Sequence, residues 1–312
     1  MTHSPAHASL DMHRLMLRDS IRNAAYRDAL HATIRPGDVV LDVGAGTGIL
    51  SMFAVQAGAS RVYAVERSTI VTVADALAKT NRFSDRISII NDDIENVSPP
   101  ERVDVIVSEW LGTLGVDENM LAPLVVARDR WLKPEGRMLP ERVTSWIAPL
   151  WSEELAGELE WLTGRPYGID FRAVMDPGEA QLFRSWRTLG PEAMPLEPKA
   201  MWTIDTSSIG RSAARQPFRT ALSWTPRAHV RVNTLATWFD AQFGSGIGLT
   251  NAPTAPRTHW GQYLFPLRRP RDVKRGQAID VKFACIPSGP GHSRFRWSIR
   301  EGGRTWEHGQ VG

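Results

Sequence analysis

A chain of 312 residues with 42% apolar and 23% charged residues can bury one large core or two smaller ones, and nothing in its composition points to disorder. The net charge is only +3 and the pI near 9.2 reflects arginine usage rather than a long basic run, so neither nucleic acid nor a membrane is an expected partner. One cysteine, Cys285, excludes a disulfide framework and a four-cysteine metal site, and without an apolar leader or a membrane-length run a cytoplasmic protein with no metal is expected.

In chain order, Leu10 to Tyr26 has helical spacing, with Leu10, Met12, Leu15, Met16, Leu17, Ile21 and Ala25 broadly on one side. Strands follow near 38–43, 61–66, 86–91 and 103–108, with helical stretches near 47–58 and 69–83 between them. This βαβ series predicts a parallel sheet covered on both faces. Around 137–150 the pattern changes. The stretch from about 151 to 198 is helical, then loop-rich. Strand-like runs rich in tryptophan then lie near 200–206, 217–224, 228–240, 260–266, 277–286 and 294–299, as in an antiparallel barrel or sandwich. Cys285 falls in one of them and reads as a buried, inert thiol. The densest basic stretch, Arg268-Arg-Pro-Arg-Asp-Val-Lys-Arg275, is interrupted by proline and reads as a solvated turn. The arginine- and alanine-rich usage hints at a GC-rich bacterial genome.

Two segments carry chemistry. In the first, Val39-Val-Leu-Asp42-Val-Gly44-Ala-Gly46-Thr-Gly48-Ile-Leu is a strand, a glycine turn and a helix start. Its glycines let the backbone approach a ligand and leave helix N–H groups free. The next strand, Arg61-Val-Tyr-Ala-Val-Glu66, ends in an acid able to accept two ribose hydroxyls. Asp42 beside the turn would repel a pyrophosphate but tolerate a cationic nucleoside, which fits S-adenosylmethionine better than NAD. In the second segment, Glu109 and Glu118 stand nine residues apart after the apolar run Val103-Asp-Val-Ile-Val107. A loop that reunites two carboxylates suits a guanidinium, a planar cation with forked donors. The same spacing also suits a solvated glutamate followed by one at a helix start.

With Val40-Leu-Asp-Val-Gly-Ala-Gly-Thr-Gly-Ile-Leu50, Ser108-Glu-Trp110 and Thr258-His-Trp260 in this order, the chain resembles the protein arginine methyltransferases from about His13 to Trp260. The resemblance implies an α/β Rossmann-like parallel-sheet domain over residues 1–143 and a β-barrel-like domain over 144–312. A helical dimerisation arm at about 151–198 would carry Trp161 and Tyr167 to Phe171 as aromatic contacts, giving a homodimer. It implies arginine N-methylation of a protein or peptide, with S-adenosyl-L-methionine as cofactor. His13, Met16, Arg22, Asp42, Gly44, Gly46, Gly48, Glu66, Ile94 and Glu95 then form the cofactor site. Arg22 would pair with the methionine carboxylate, Glu66 with the ribose, and Ile94 and Glu95 with the adenine. His13 and Met16 would close over the cofactor. Glu109 and Glu118 would hold the guanidinium, His259 oriented by Asp19 would assist proton removal, and Trp260 would wall the substrate channel. For His259 a structural hinge between barrel and N-terminal helix is an equal expectation.

Departures from the family pattern open alternatives. The aromatic Tyr-Phe-x-x-Tyr segment is replaced by His-Ser-Pro-Ala-His at residues 3–7, and loop positions that are often aromatic hold Thr113, Val116 and Asp117. Free L-arginine or another small guanidine compound is an alternative substrate, with Asp117 meeting its ammonium. As an alternative role, Asp117 is a helix N-cap. A non-catalytic cofactor-binding scaffold is the second alternative to the enzyme.

Overall fold

The computed structural model describes residues 10–171, 183–185, 189–190, 193–289, 291–301 and 304–309. The aromatic-lid positions 3–7 and most of the second half of the expected arm lie outside them. Five strands, β1 (Val39–Val43), β2 (Arg61–Val65), β3 (Ile87–Ile90), β4 (Val103–Val107) and β5 (Leu132–Leu139), run parallel in the order β3-β2-β1-β4-β5. The apolar runs of the three inner strands β1, β2 and β4 are largely buried, as a sheet covered on both faces requires. The order reverses at β1, which lies between β2 and β4. The crevice outside the carboxyl ends of β1 and β4 is therefore where such a sheet takes its ligand. The glycine turn leaves β1 and the Glu109 loop leaves β4, so the topology puts both at that crevice.

The N-terminal stretch expected as one helix is two, α1 (Leu10–Arg18) and α2 (Ser20–Thr33). Asp19 breaks it. Its Oδ1 accepts the Arg22 N–H at 3.0 Å and caps α2. The break turns the faces apart: Tyr26, Ala29 and Leu30 of α2 enter the core, whereas Leu10, Leu15, Leu17 and Ile21 stay exposed, contrary to a single buried apolar side. Helices α3 (Ile49–Gln56), α4 (Val71–Thr80) and α5 (Leu121–Trp131) complete the parallel unit. Helix α6 (Glu153–Thr163) is capped by Ser152, whose Oγ accepts the Leu155 N–H, with Glu153 and Glu154 in its first turn.

Among the described residues beyond β5 all sheet pairing is antiparallel. Strands β6 (Arg142–Leu150), β7 (Phe183–Ser185), β8 (Lys199–Asp205), β10 (Val230–Gln242) and β12 (Gln262–Val273) form one sheet in the order β7-β12-β10-β6-β8, with β11 (Gly248–Thr250) on β10. Strands β9 (Phe218–Trp224), β13 (Ile279–Gly289), β14 (His292–Glu301) and β15 (Arg304–Gly309) form the other. Phe265 of the first sheet packs at 4.9 Å on Phe283 and on Trp297 of the second, so the two inner faces share a barrel-like aromatic core. Cys285 is buried there, and burial pushes its thiol up, in keeping with an inert role.

The basic stretch 268–275 is not a solvated turn over most of its length. Strand β12 runs on to Val273, pairing with Val230. The ladder slips between Val232 and Thr234, and Pro270 falls in that slip, where no N–H is required of it. No helix among the described residues is long and apolar enough to cross a membrane.

Candidate active site

Gly44, Gly46 and Gly48 have φ of +72°, +56° and +78°, the left-handed region that favours glycine. The Gly44 and Ala45 N–H groups bond the Val65 carbonyl and hold the turn on β2. α3 begins after Gly48 without a side-chain cap, leaving its first N–H groups for a ligand. Glu66 sits at the end of β2, accepting the Gly46 N–H at 2.9 Å with Oε2 and the Ser68 N–H at 2.7 Å with Oε1. His13 of α1 lies over the turn: a Cβ at Gly46 would come within 2.8 Å of its imidazole. Met16, half-buried, carries the α1–α2 break through its carbonyl, which receives the Asp19 and Asn23 donors. Met120, which sequence reasoning passed over, reaches Gly44 from the other side at 3.4 Å from a built Cβ.

Asp42 is fully buried on β1. Its Oδ2 accepts the Ser51 hydroxyl at 2.7 Å, and its Oδ1 has no partner. Burial, helped by the Glu66 charge and opposed by the Ser51 hydrogen bonds, raises its carboxyl to about 7. Arg22 is equally enclosed. Its Nη2 meets Glu109 Oε2 at 3.3 Å, its Nη1 donates to Asn23 Oδ1 at 2.7 Å, and its buried Nε has no partner. Two buried polar atoms of opposite kind thus flank the glycine turn, an unpaired carboxylate oxygen and an unpaired guanidinium N–H.

Glu109 also accepts the Leu111 N–H with Oε1, which folds the loop back on itself. Ser108 donates to the Val43 carbonyl at 2.6 Å, and Tyr26 donates to the Ser108 carbonyl at 3.2 Å. The phenol of Tyr26 is raised first by burial and then by the Glu109 charge, with Asp42 and Glu118 adding to it and Arg22 opposing. Glu109 and Glu118 thus both act electrostatically on one buried ring. Glu118 is half-buried and lines a cleft of about 300 Å³ between the loop and the antiparallel sheets, a cleft that Glu95 also reaches. Ile94 is buried, and Glu95 pairs with Arg215 at 3.3 Å.

The far side of the crevice comes from the antiparallel half. Asp19 Oδ2 receives the His259 backbone N–H at 2.8 Å and lies 2.7 Å from its Nδ1. Burial works against ionised Asp19, but the hydrogen bonds from His259 and Arg22 outweigh it and hold the carboxyl below its usual range. Trp260 is buried, its ring centroid 4.1 Å from that of His259 at a tilt of 38° and edge-on to Phe239 at 5.1 Å.

The loop between the glutamates is held by residues that the sequence did not single out. Asn251 donates to the Thr113 and Gly261 carbonyls and accepts the Phe239 N–H, tying the loop to β10 and to the Thr258–Trp260 segment. Asn119, at φ +57°, donates to the carbonyls of Gly289 and His292 in the β13–β14 hairpin. Asp117 is not a helix N-cap. α5 starts at Leu121 after Met120, and Asp117 instead accepts the Thr113 and Leu114 N–H groups and the Tyr263 hydroxyl. A loop with two buried N–H groups needs an internal acceptor more than the helix end needs a cap.

Sequence models of two families match the chain: the arginine methyltransferase oligomerization subdomain over residues 142–300 and the ribosomal protein L11 methyltransferase over residues 27–139. The protein arginine N-methyltransferase 6 of Danio rerio is 32% identical over 91% of this chain and 84% of its own length. The chain belongs to the protein arginine N-methyltransferase family. A probable protein arginine N-methyltransferase 6.2 of Oryza sativa subsp. indica is 30% identical over 95% of this chain and 83% of its own. Among solved arginine methyltransferases, the Trypanosoma brucei PRMT1 enzyme–prozyme heterotetrameric complex with AdoHcy superposes with a TM-score of 0.83. It is 27% identical over 98% of this chain and all of that one. Arabidopsis thaliana protein arginine methyltransferase 10, in an open conformation, gives 0.79 at 28% identity over 97% and 98%.

Proposed function

We propose that this chain transfers the methyl group of S-adenosyl-L-methionine to a guanidino nitrogen of arginine in a protein or peptide. The observation that carries the reading is Glu109, half-buried, held by Arg22 and Leu111, and sharing the Tyr26 ring's surroundings with Glu118. Two carboxylates in a partly dry crevice call for a cation that fills both.

The crevice fits the cofactor. Gly44, Gly46 and Gly48 let a ligand approach, Glu66 offers carboxylate oxygens to ribose hydroxyls, unpaired Arg22 Nε suits a carboxylate, and unpaired Asp42 Oδ1 suits a positive charge. His13, Met16, Ile94 and Glu95 supply the rest of the wall. The cofactor supplies an electrophilic methyl on a sulfonium. The remaining work belongs to the chain. A guanidinium has a pKa above ~12, so it stays protonated at neutral pH and is a poor nucleophile. Glu109 and Glu118 draw its positive charge toward the nitrogens they bind, so the third nitrogen gains lone-pair character. Orientation and fixed charge of this kind are worth roughly 7–11 kcal/mol in favourable cases. As the N–C bond forms and the S–C bond breaks, the proton leaves the nitrogen for His259, which Asp19 holds in orientation. Trp260 packs behind His259 and walls that side.

We divide the chain at about residue 143 and read it as a homodimer. Trp161 and Tyr167 cluster with Phe171 on the arm, 53% and 85% exposed, and the α1–α2 apolar residues are open on the parallel unit. Two such patches on one chain suit an isologous pair in which each arm covers the partner's helices. Asp117, used inside its own loop, gives no support to free arginine as substrate.

The test is incubation with labelled S-adenosylmethionine and, separately, arginine-rich protein, arginine peptide and free arginine, read by mass spectrometry. Methyl on the guanidino group of protein or peptide is expected. Methyl on free arginine alone, or on no substrate, overturns the reading.

A further inference from the structure

The outer face of the β15-β14-β13-β9 sheet carries three exposed cations round a hollow. Ala284 on β13 is flanked in register by Arg219 on β9 and Arg296 on β14. Two residues along, Lys282 is flanked by Ala221 and Ser298. With strands about 4.8 Å apart and a two-residue rise of about 6.8 Å, the two arginines stand roughly 10 Å apart, with the lysine about 7 Å along the strand between them. Small residues between them leave a hollow of about 580 Å³. Phe283 and Trp297, which alternate with these positions, are turned into the core.

Like charges grouped on one sheet face repel. Among the described residues none of the three has a carboxylate partner. The neighbouring acid, Asp280, is taken by Arg300, whose Nε and Nη2 meet its Oδ2 at 3.0 and 2.8 Å. Glu307 occupies the register position opposite Ser298 on the outermost strand, beyond the triangle. An anion in the hollow would relieve the repulsion and gain from three donors at once.

The form of the hollow narrows the ligand. It is open and built on rigid strands, so one small ion would keep its water, whereas a chain of charges engages several cations together. The two aromatics nearest the hollow face inward and offer nucleobases no stacking platform. An extended peptide places alternate side chains on one side about every 6.8 Å, close to the spacing of these cations. We propose that this face docks an acidic stretch of a partner polypeptide, its carboxylates held by Arg219, Lys282 and Arg296.

The probe is a fluorescent peptide of alternating glutamate and glycine without arginine, read by anisotropy. The wild-type chain is expected to bind it at low salt and to lose affinity as salt rises from about 50 to 300 mM. The Arg219→Glu/Lys282→Glu/Arg296→Glu variant should bind roughly tenfold more weakly or worse, while methylating a short acid-free arginine peptide as the wild type does. The triple alanine variant, checked for fold by circular dichroism, should weaken binding in the same direction without added repulsion. No wild-type binding, binding that survives both triple variants, or tighter binding of a single-stranded oligonucleotide of equal charge would overturn the proposal. The readout is binding, so it stands or falls apart from the methyl-transfer reading.

Discussion

Asp19 and His259, 240 residues apart, are joined twice: one carboxylate oxygen takes both the backbone N–H and the imidazole Nδ1 of His259. The other oxygen caps α2 through Arg22. One side chain therefore sets the start of the helix that carries Arg22 and the orientation of the proposed proton acceptor. Asp19→Ala should lower stability by about 1–3 kcal/mol through loss of the cap and of a buried acceptor. Asp19→Asn should keep the cap, remove the charge beside the imidazole and change the pH dependence of turnover. Thermal melts and pH–rate profiles check both, and an unchanged profile in Asp19→Asn counts against the relay.

Glu109→Gln and Glu118→Gln should each lower kcat by about 10²–10³, or roughly 3–4 kcal/mol, because each keeps its shape but loses the charge that localises the guanidinium. Glu118→Gln should leave cofactor affinity unchanged. Glu109→Gln should also weaken it, because Arg22 loses its charged partner. The double variant should lose far less than the product of the singles, since both groups act on one cation. Single-turnover kinetics with an arginine peptide decide this, and near-wild-type turnover in both singles would mean a different nucleophile.

Asp42, held at about 7, predicts a pH-dependent cofactor affinity. Below that pH the carboxyl is protonated and neutral, so it offers nothing to a positively charged ligand. Affinity should therefore rise between pH 6 and 8, and binding near pH 7 should expel a proton. Calorimetry in buffers of different ionisation heat measures that proton directly. Asp42→Asn should flatten the profile, and a wild type without pH dependence would refute the role.

Gly46→Ala joins two penalties, a left-handed φ of +56° and a Cβ 2.8 Å from the His13 imidazole. The backbone cost is about 1–3 kcal/mol, and His13 must move off the turn. The variant should fold, melt earlier and bind S-adenosylmethionine weakly. Wild-type affinity in Gly46→Ala would remove His13 from the cofactor's cover.

These positions differ in how visible they were. The glycine turn, Glu66 and Glu109 sit at strand ends, where a short apolar run and a following turn mark them in a single sequence. Asn251 and Asn119 had no such signal. The bonds by which they hold the loop, Asn251 to Thr113 and Asn119 to Gly289, span 138 and 170 residues, and nothing local distinguishes them from turn residues. The break at Asp19 was hidden because both helices keep a helical period across it. Strand β6 was missed in the pattern change at 137–150, and β12 was cut short because Pro270 reads as a stop when the slip in the ladder is unseen. Asp117, an acid four residues before α5, looks like a cap until its loop is seen to close round it.

The arm supplies the last prediction. Trp161→Glu with Tyr167→Glu should convert a dimer into a monomer by light scattering, without unfolding it, since both side chains face solvent within one chain. A wild-type monomer, or a dimer that survives both changes, would end the isologous reading.

The span between Asp19 and His259 also has a meaning for synthesis. At about 5–20 residues per second, roughly 12–48 s separate the emergence of the two from the ribosome. The parallel unit can assemble in that interval, yet its first helices still lack the anchor that fixes their angle to the crevice. The nascent chain is thus expected to stay silent until its C-terminal half has been translated, and a truncated product that ends before His259 should neither hold its α1–α2 corner in place nor consume cofactor.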